Sequence, residues 1–126
     1  MTITVGDLAA NRYVLLTTYR RDGRPVATPV WAVPYDGGLA VWTPASSGKV
    51  KRIRHTSEVT VASCDFRGGN VGPAATGSAE VLDPAATARV RQELKRKYGV
   101  SARLTIALSA LRRGSAGSVG IKVAPR

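Results

Sequence analysis

The sequence is poor in the side chains with which most enzymes carry out chemistry unaided. It has one cysteine, Cys64, and one histidine, His55, in 126 residues. A single cysteine excludes an internal disulfide, a cysteine zinc cluster and a CxxC redox pair, and fits a reducing compartment. A single histidine excludes a metal site built from several imidazoles, so no metal is expected; HExxH and GxSxG are both absent. A Cys64/His55 nucleophile pair stays open, against the plainer reading of Cys64 as packing on an apolar strand and of His55 as a helix C-terminal residue balancing the dipole. There are only eight carboxylates. Asp22 and Asp36 fit hairpin turns and Asp83 fits a helix cap, which leaves Asp7, Glu58, Asp65, Glu80 and Glu93 without a local role. So few acid/base groups argue against unaided hydrolysis: if the protein is an enzyme, a cofactor should carry the hard chemistry. No catalytic residue is identifiable. No apolar run approaches the ~20 residues of a membrane span, and Met-Thr-Ile-Thr-Val-Gly-Asp-Leu has neither the basic nor the apolar region of a signal peptide. A cytoplasmic protein without membrane contact is therefore expected.

Positive charge is abundant. Nineteen lysines and arginines give a formal charge of +11 and a pI near 10.9. No acidic residue lies between Asp36 and Glu58, and none follows Glu93. The partner should be anionic: nucleic acid, a phosphorylated cofactor or a polyacidic metabolite. With 44% hydrophobic residues and no linker, repeat or low-complexity segment, residues 1–126 read as one domain with a real core.

Tight turns punctuate the first half. A lead-in helix ending near Asn11, with Leu8 inward, precedes a strand from Tyr13 to Tyr19. Asp22-Gly23 suits a hairpin bend, and Val26 to Tyr35 reads as the returning strand. Pro29 and Pro34 cannot donate to a ladder, so one side of that strand should lie at an edge, a bulge or a cleft. Asp36-Gly37-Gly38 leads into Leu39 to Thr43; Glu58 to Phe66 and Ala74 to Leu82 are further strands around a loop at Arg67 to Pro73, whose glycines match neither GxGxxG nor a P-loop. Asp83 as N-cap, Pro84 at the first helical position and Gly99 past the end frame a helix with Val90, Leu94 and Tyr98 on one stripe and Arg89, Gln92 and Arg96 opposite. A second helix within Arg103 to Arg113 should carry Leu104, Ala107, Leu108 and Leu111 on one apolar face, and Ser118 to Ala124 closes the chain as a strand. The tally is a mainly β fold: six antiparallel strands forming a small barrel, with a few short helices.

The segment from Thr43 to His55 carries the strongest functional signal. A turn at Ser46-Ser47-Gly48 opens a short helix with Val50 and Ile53 inward and Lys49, Lys51, Arg52 and Arg54 crowded upon it. Free N–H groups and the positive dipole end attract phosphate there, and first-turn cations add to the pull. A solvated basic helix is the competing interpretation.

Taken in order, Val-Ala-Thr-Pro-Val-Trp (26–31), Leu-Ala-Val-Trp-Thr (39–43), Ser-Ser-Gly-Lys-Val-Lys-Arg-Ile-Arg (46–54) and Glu-Val-Thr-Val-Ala-Ser-Cys-Asp (58–65) resemble the pyridoxamine-phosphate-oxidase-like (PPOX) split β-barrels. Within them, the chain resembles the small actinobacterial members classed as enzymes dependent on coenzyme F420, a deazaflavin. The likeness runs from about Leu8 to Asp83 and more weakly through the terminal strand. It implies a six-stranded split barrel of Greek-key type, the FMN-binding split barrel, a homodimer and a cofactor groove between the subunits. On matching positions it implies that Lys49, with Ser47 and Gly48, holds the cofactor phosphate, that Lys51 and Arg52 add cationic contacts, that Thr28, Pro29, Val30 and Trp31 run along the ring, and that Thr43 ends a strand close to the phosphate. The implied activity is hydride transfer from reduced F420 to a small conjugated acceptor. FMN is the alternative cofactor, and cofactor carriage without turnover is an alternative role. Trp31 and Trp42 could equally be barrel core. No residue declares a substrate. A nucleic-acid-binding module is disfavoured, because no helix-turn-helix, zinc finger or RNA-binding aromatic motif accompanies the charge.

Overall fold

The computed structural model describes residues 3–113 and 117–126. The first two residues of the stretch read for a targeting signal, and 114–116 within the basic last third, lie outside it. The chain opens with a one-turn helix α1 (Val5–Leu8), where Thr4 Oγ1 accepts from the Asp7 N–H (3.2 Å) and the Asp7 carboxylate accepts from the Thr4 N–H (2.9 Å). This reciprocal cap gives Asp7 a local role and holds its pKa below the ordinary carboxylate value. Strands β1 (Val14–Tyr19), β2 (Pro25–Val30), β3 (Val33–Tyr35) and β4 (Gly38–Pro44) follow, then helix α2 (Gly48–His55) and strands β5 (Glu58–Ser63) and β6 (Ala74–Val81). Helices α3 (Pro84–Tyr98) and α4 (Val100–Arg113) and strand β7 (Ser118–Pro125) complete the chain. The sheet is antiparallel throughout, in the order β2-β1-β5-β6-β7-β4-β3.

Seven strands replace the expected six because the segment from Val26 to Tyr35 is two strands. The chain leaves the sheet at Trp31-Ala32, so that β2 lies at one edge and β3 at the other. Val30 and Val33 are three Cα steps apart, a reach of about 11 Å at most, so the two edges must approach each other there. The sheet therefore curls into a barrel that stays open elsewhere, the split form. Pro29 faces Leu15 across the β1–β2 ladder and Pro34 faces Leu39 across β3–β4, each on an edge strand where a missing N–H forfeits no second partner.

The turn at Asp36-Gly37 takes φ of 46° and 82°, and Gly38 then passes so close to the Val123 carbonyl that no Cβ would fit. Strand β5 stops at Ser63, short of Phe66, because Asp65 gathers the chain into a loop. Its carboxylate accepts from the N–H groups of Arg67 (2.9 Å) and Gly69 (2.8 Å) and from Asn70 Nδ2 (2.9 Å). These bonds, the Gly69 one foremost, hold the Asp65 pKa low.

Leu8, Val14, Leu16, Leu39, Val41, Val50, Val59, Val61 and Ile121 fill the barrel, with α2 plugging one side through Val50 and Ile53. A second apolar layer lies outside, where Val33, Tyr35 and Ala40 meet Val90, Leu94 and Tyr98 of α3 and Ala102 of α4. Helix α3 begins and ends where its caps dictate: Asp83 Oδ1 accepts from the Ala86 N–H at 2.8 Å, and Gly99 closes it. Helix α4 forms, and its apolar face of Leu104, Ala107, Leu108 and Leu111 is exposed. Leu104, Leu108 and Leu111 are 61%, 54% and 83% exposed, whereas Ala102 and Ser109 face inward. The layer beneath is already largely covered by α3, so α4 meets it through Ala102 and the half-buried Ile106, and the leucine face looks outward.

Candidate functional site

Ser47 caps α2, its Oγ receiving the Val50 N–H (3.5 Å) and the hydroxyl of buried Thr43 (3.2 Å). This pair ties the end of β4 to the start of the helix. It leaves Lys49, in the first turn, half-buried on the wall of a cavity of about 380 Å³. Pro29, Val30 and Trp31 supply a second wall, Trp42, Thr43 and Pro44 a third, and Tyr13 and Thr105 the rim. Burial, and then the nearby Arg52 guanidinium, lower the Lys49 pKa. A cation held in a half-dry site beside another cation is a group that an incoming anion stabilises. Trp42 Nε1 is buried and, among the described residues, has no hydrogen-bond partner; the same is true of Thr28 Oγ1.

Trp31 is held rigidly although it sits in the gap between two strands. Its ring stacks on Tyr98 of α3, centroids 4.6 Å apart and planes 11° from parallel. The Tyr98 hydroxyl accepts from the Ala32 N–H (3.1 Å) and lies 2.7 Å from the Arg12 carbonyl and 3.0 Å from that of Ala32, to which it can donate. Burial foremost raises its pKa, so it stays a neutral phenol. Next to it the Lys97 ammonium donates to the carbonyls of Ala9 (2.8 Å), Asn11 (2.7 Å) and Ala32 (2.5 Å). Backbone groups left unpaired by the break at Trp31-Ala32 are thus satisfied from α3, and that fixes one wall of the cavity.

The outer side of α2 belongs to a different concavity. A cleft of about 620 Å³ is bounded by Tyr19, Arg20 and Arg21 on one side and by Gly48, Lys51, Arg52, Arg54 and His55 on the other. Arg52 bridges the helix to the barrel, its Nε donating to Thr18 Oγ1 at 2.6 Å. The residues expected to act together therefore divide. Pro29, Val30, Trp31, Thr43 and Lys49 line the first cavity, Gly48, Lys51 and Arg52 line the second, Ser47 joins the two as the cap, and Thr28 lines neither.

Thr105 and Pro44 escaped the sequence reading. Nothing in the pattern of α4 separates Thr105 from an ordinary surface threonine; only the packing of α4 over β4 brings it to the rim. Cys64 sits beyond β5, its thiol pKa raised by burial and then by Asp65, the opposite of what a nucleophile requires. His55 lines the cationic cleft, and no hydrogen bond joins the two among the described residues. No group of His, Cys, Asp or Glu among those residues could hold a metal ion. No helix there is long and apolar enough to cross a membrane. Most acidic residues are structural: Glu58 pairs with Arg126, Glu93 with Arg96, and Asp36 with Arg89.

Solved structures share this architecture. A conserved hypothetical protein of Mycobacterium tuberculosis, Rv2991, superposes with a TM-score of 0.71 at 22% identity, covering 94% of this chain and 76% of its own. The heme storage protein HutZ of Vibrio cholerae gives 0.68 at 14%, covering 92% and 82%. PhzG of Burkholderia lata, solved with tetrahydrophenazine-1-carboxylic acid, gives 0.64 at 18%, covering 92% and 67%. At such identities the likeness is one of fold. No curated protein sequence matches the chain. A family model described as pyridoxamine 5'-phosphate oxidase matches residues 5–126, and over that length the chain belongs to the pyridoxamine 5'-phosphate oxidase-like split-barrel family.

Proposed function

We propose that the Lys49 cavity holds the phosphorylated end and ring of a flavin-type cofactor, and that the protein is an oxidoreductase acting on a small organic substrate. The carrying observation is Lys49 itself, a half-buried cation with a depressed pKa at a helix start, facing a cavity with tryptophans on its walls. The residues fit such a group. Lys49 and the α2 N-terminus offer charge and N–H groups to a phosphate, the fixed Trp31 and the apolar Pro29 and Val30 offer flat surface to a ring, and the unpaired Trp42 Nε1 offers a donor. When bound, the cofactor would supply hydride transfer, the chemistry that the chain's own side chains lack. The protein's part is to fix the ring, exclude water and leave one face open to an acceptor.

Coenzyme F420 is the cofactor we favour, with FMN as the alternative. The chain's formal charge of +11 suits the polyglutamate tail of the deazaflavin, which FMN lacks. Each cofactor would be incubated with the protein, the mixture desalted and the absorbance spectrum recorded. F420 should be retained and should bind more tightly than FMN in a tryptophan-quenching titration. FMN binding equally or more tightly would overturn the preference, and retention of neither would overturn the site. Turnover is read separately, by mixing reduced cofactor with enones, quinones and tetrapyrroles and following reoxidation. Tight binding without consumption of any acceptor would make the protein a carrier.

We further propose a homodimer. A cavity of about 380 Å³ lies near the lower end of the range of ligand pockets, about 300 to 1,000 Å³, and leaves little room for the tail of a cofactor such as F420 beside its ring and phosphate. Thr105 on its rim belongs to the same helix as the uncovered Leu104, Leu108 and Leu111. A second copy seated on that helix would bury the leucines and extend the cavity wall.

A further inference from the structure

The cationic cleft on the outer side of α2 has chemistry that the Lys49 cavity leaves unexplained. Five of its lining residues, Arg20, Arg21, Lys51, Arg52 and Arg54, are cations, and none is acidic. No carboxylate lines the cleft with them, although Arg54 also borders a second concavity that holds Glu80 and Asp83. On the β1–β2 turn Asp22 is taken by Arg24, whose Nε lies 2.7 Å from Oδ2, and helix α2 has no acid of its own. Among the described residues the arginines with carboxylate partners are Arg24, Arg89, Arg96 and Arg126, none of which lines the cleft. Among the described residues only Arg52 of these cations is tethered through its side chain, to Thr18, and its charge already contributes to lowering the Lys49 pKa.

Like charges gathered around a concavity repel one another and focus positive potential into it. A single phosphate would be served by one or two cations. Here the turn supplies Arg20 and Arg21 from one wall, and α2 supplies Lys51, Arg52 and Arg54 from the other, which matches a ligand with several anionic groups in a row. Tyr19, half-buried in the same lining, adds an aromatic surface. At about 620 Å³ the cleft lies within the range of small-molecule pockets, about 300 to 1,000 Å³.

We infer that this cleft is a second binding site, separate from the Lys49 cavity, for a ligand carrying consecutive phosphates. That chemistry occurs in free nucleoside triphosphates and, more widely spaced, along a nucleic-acid strand; the bounded concavity favours the former. The site stands whether or not the cofactor reading of the Lys49 cavity does.

Inorganic tripolyphosphate, ATP and a single-stranded oligonucleotide would each be titrated calorimetrically into the protein, alone and saturated with FMN or F420. One tripolyphosphate or one ATP per chain is expected, with affinity falling as salt rises and unchanged by the bound cofactor. The double substitution R21E/R54E reverses two exposed charges without touching the core and should weaken both ligands about tenfold or more. K49A should leave them unaffected. Tyr19→Leu should weaken ATP and spare tripolyphosphate, with circular dichroism checking that each variant is folded. Absence of saturable binding, or indifference to R21E/R54E, would overturn the proposal. Competition with the cofactor, or loss of binding in K49A, would overturn it by making the cleft an arm of the cofactor site. Oligonucleotide binding without ATP binding would overturn it in favour of a nucleic-acid surface.

Discussion

Lys49 is the residue on which the cofactor reading turns, and its depressed pKa gives that reading a pH signature. Burial makes the charged form costly in the free protein, so the group loses its proton below the 10.5 of an ordinary lysine. A bound phosphate favours the charged form and restores it. Cofactor affinity should therefore fall as pH rises through the lowered Lys49 pKa, with proton uptake on binding in that window; calorimetry in buffers of different ionisation enthalpy measures it. For folding the sign is the reverse. Between the lowered pKa and 10.5 the unfolded chain binds more protons, so Lys49 detracts from stability below that window and ceases to do so as pH rises through it. Lys49→Ala should cost the cofactor about 1.5–3 kcal/mol, roughly 10- to 150-fold in affinity, and leave the melting temperature of the cofactor-free protein undiminished. Tyr98→Phe tests the other wall. It keeps the ring against Trp31 but strips the Ala32 N–H of its acceptor, and should lower stability by about 1–3 kcal/mol in a denaturant titration while largely sparing cofactor binding.

At the scale of elements, α4 holds the prediction about assembly. Its leucines could not be assigned a direction from sequence, because a stripe of Leu104, Leu108 and Leu111 at helical spacing looks the same whether it meets its own core or another chain. Replacing Leu104 and Leu108 with Glu should convert the dimer to a monomer by light scattering and weaken the cofactor, with little loss of secondary structure, since both residues are exposed in the single chain. An unchanged mass in the variant, or a monomeric parent, would place the leucines outside any subunit interface. Helix α3 shows the opposite case. Asp83, Pro84 and Gly99 marked its ends, and the stripe of Val90, Leu94 and Tyr98 marked its buried face, because capping and amphipathicity are local properties that packing did not override here.

For the whole molecule, ligand and assembly should be linked. If the cofactor binds the folded dimer and not the unfolded chain, saturating cofactor should raise the melting temperature, and the melting temperature should also rise with protein concentration. Differential scanning calorimetry at several concentrations, with and without cofactor, checks both; concentration independence would separate assembly from folding.

The sequence by itself determined most of the strands, the turns and the basic helix. Asp22-Gly23 and Asp36-Gly37 are turn chemistry, the β-branched runs are strand chemistry, and Ser47 before Lys49 and Val50 is a helix start, each written within a few residues. It also determined what the protein lacks, and so the need for a cofactor if it is an enzyme. Tertiary structure alone decided the rest. The break of Val26–Tyr35 at Trp31-Ala32 follows from the sheet bringing its two edges together, a closure that no local pattern encodes. The division of the expected site follows from α2 presenting Lys49 to one cavity and Lys51, about 200° further round the helix, to another, while Arg52, a same-face neighbour of Lys49, is drawn to the second by its bond to Thr18. The contribution of Lys97, whose ammonium gathers carbonyls from residues 9, 11 and 32, could be seen only once α3 had docked across that break.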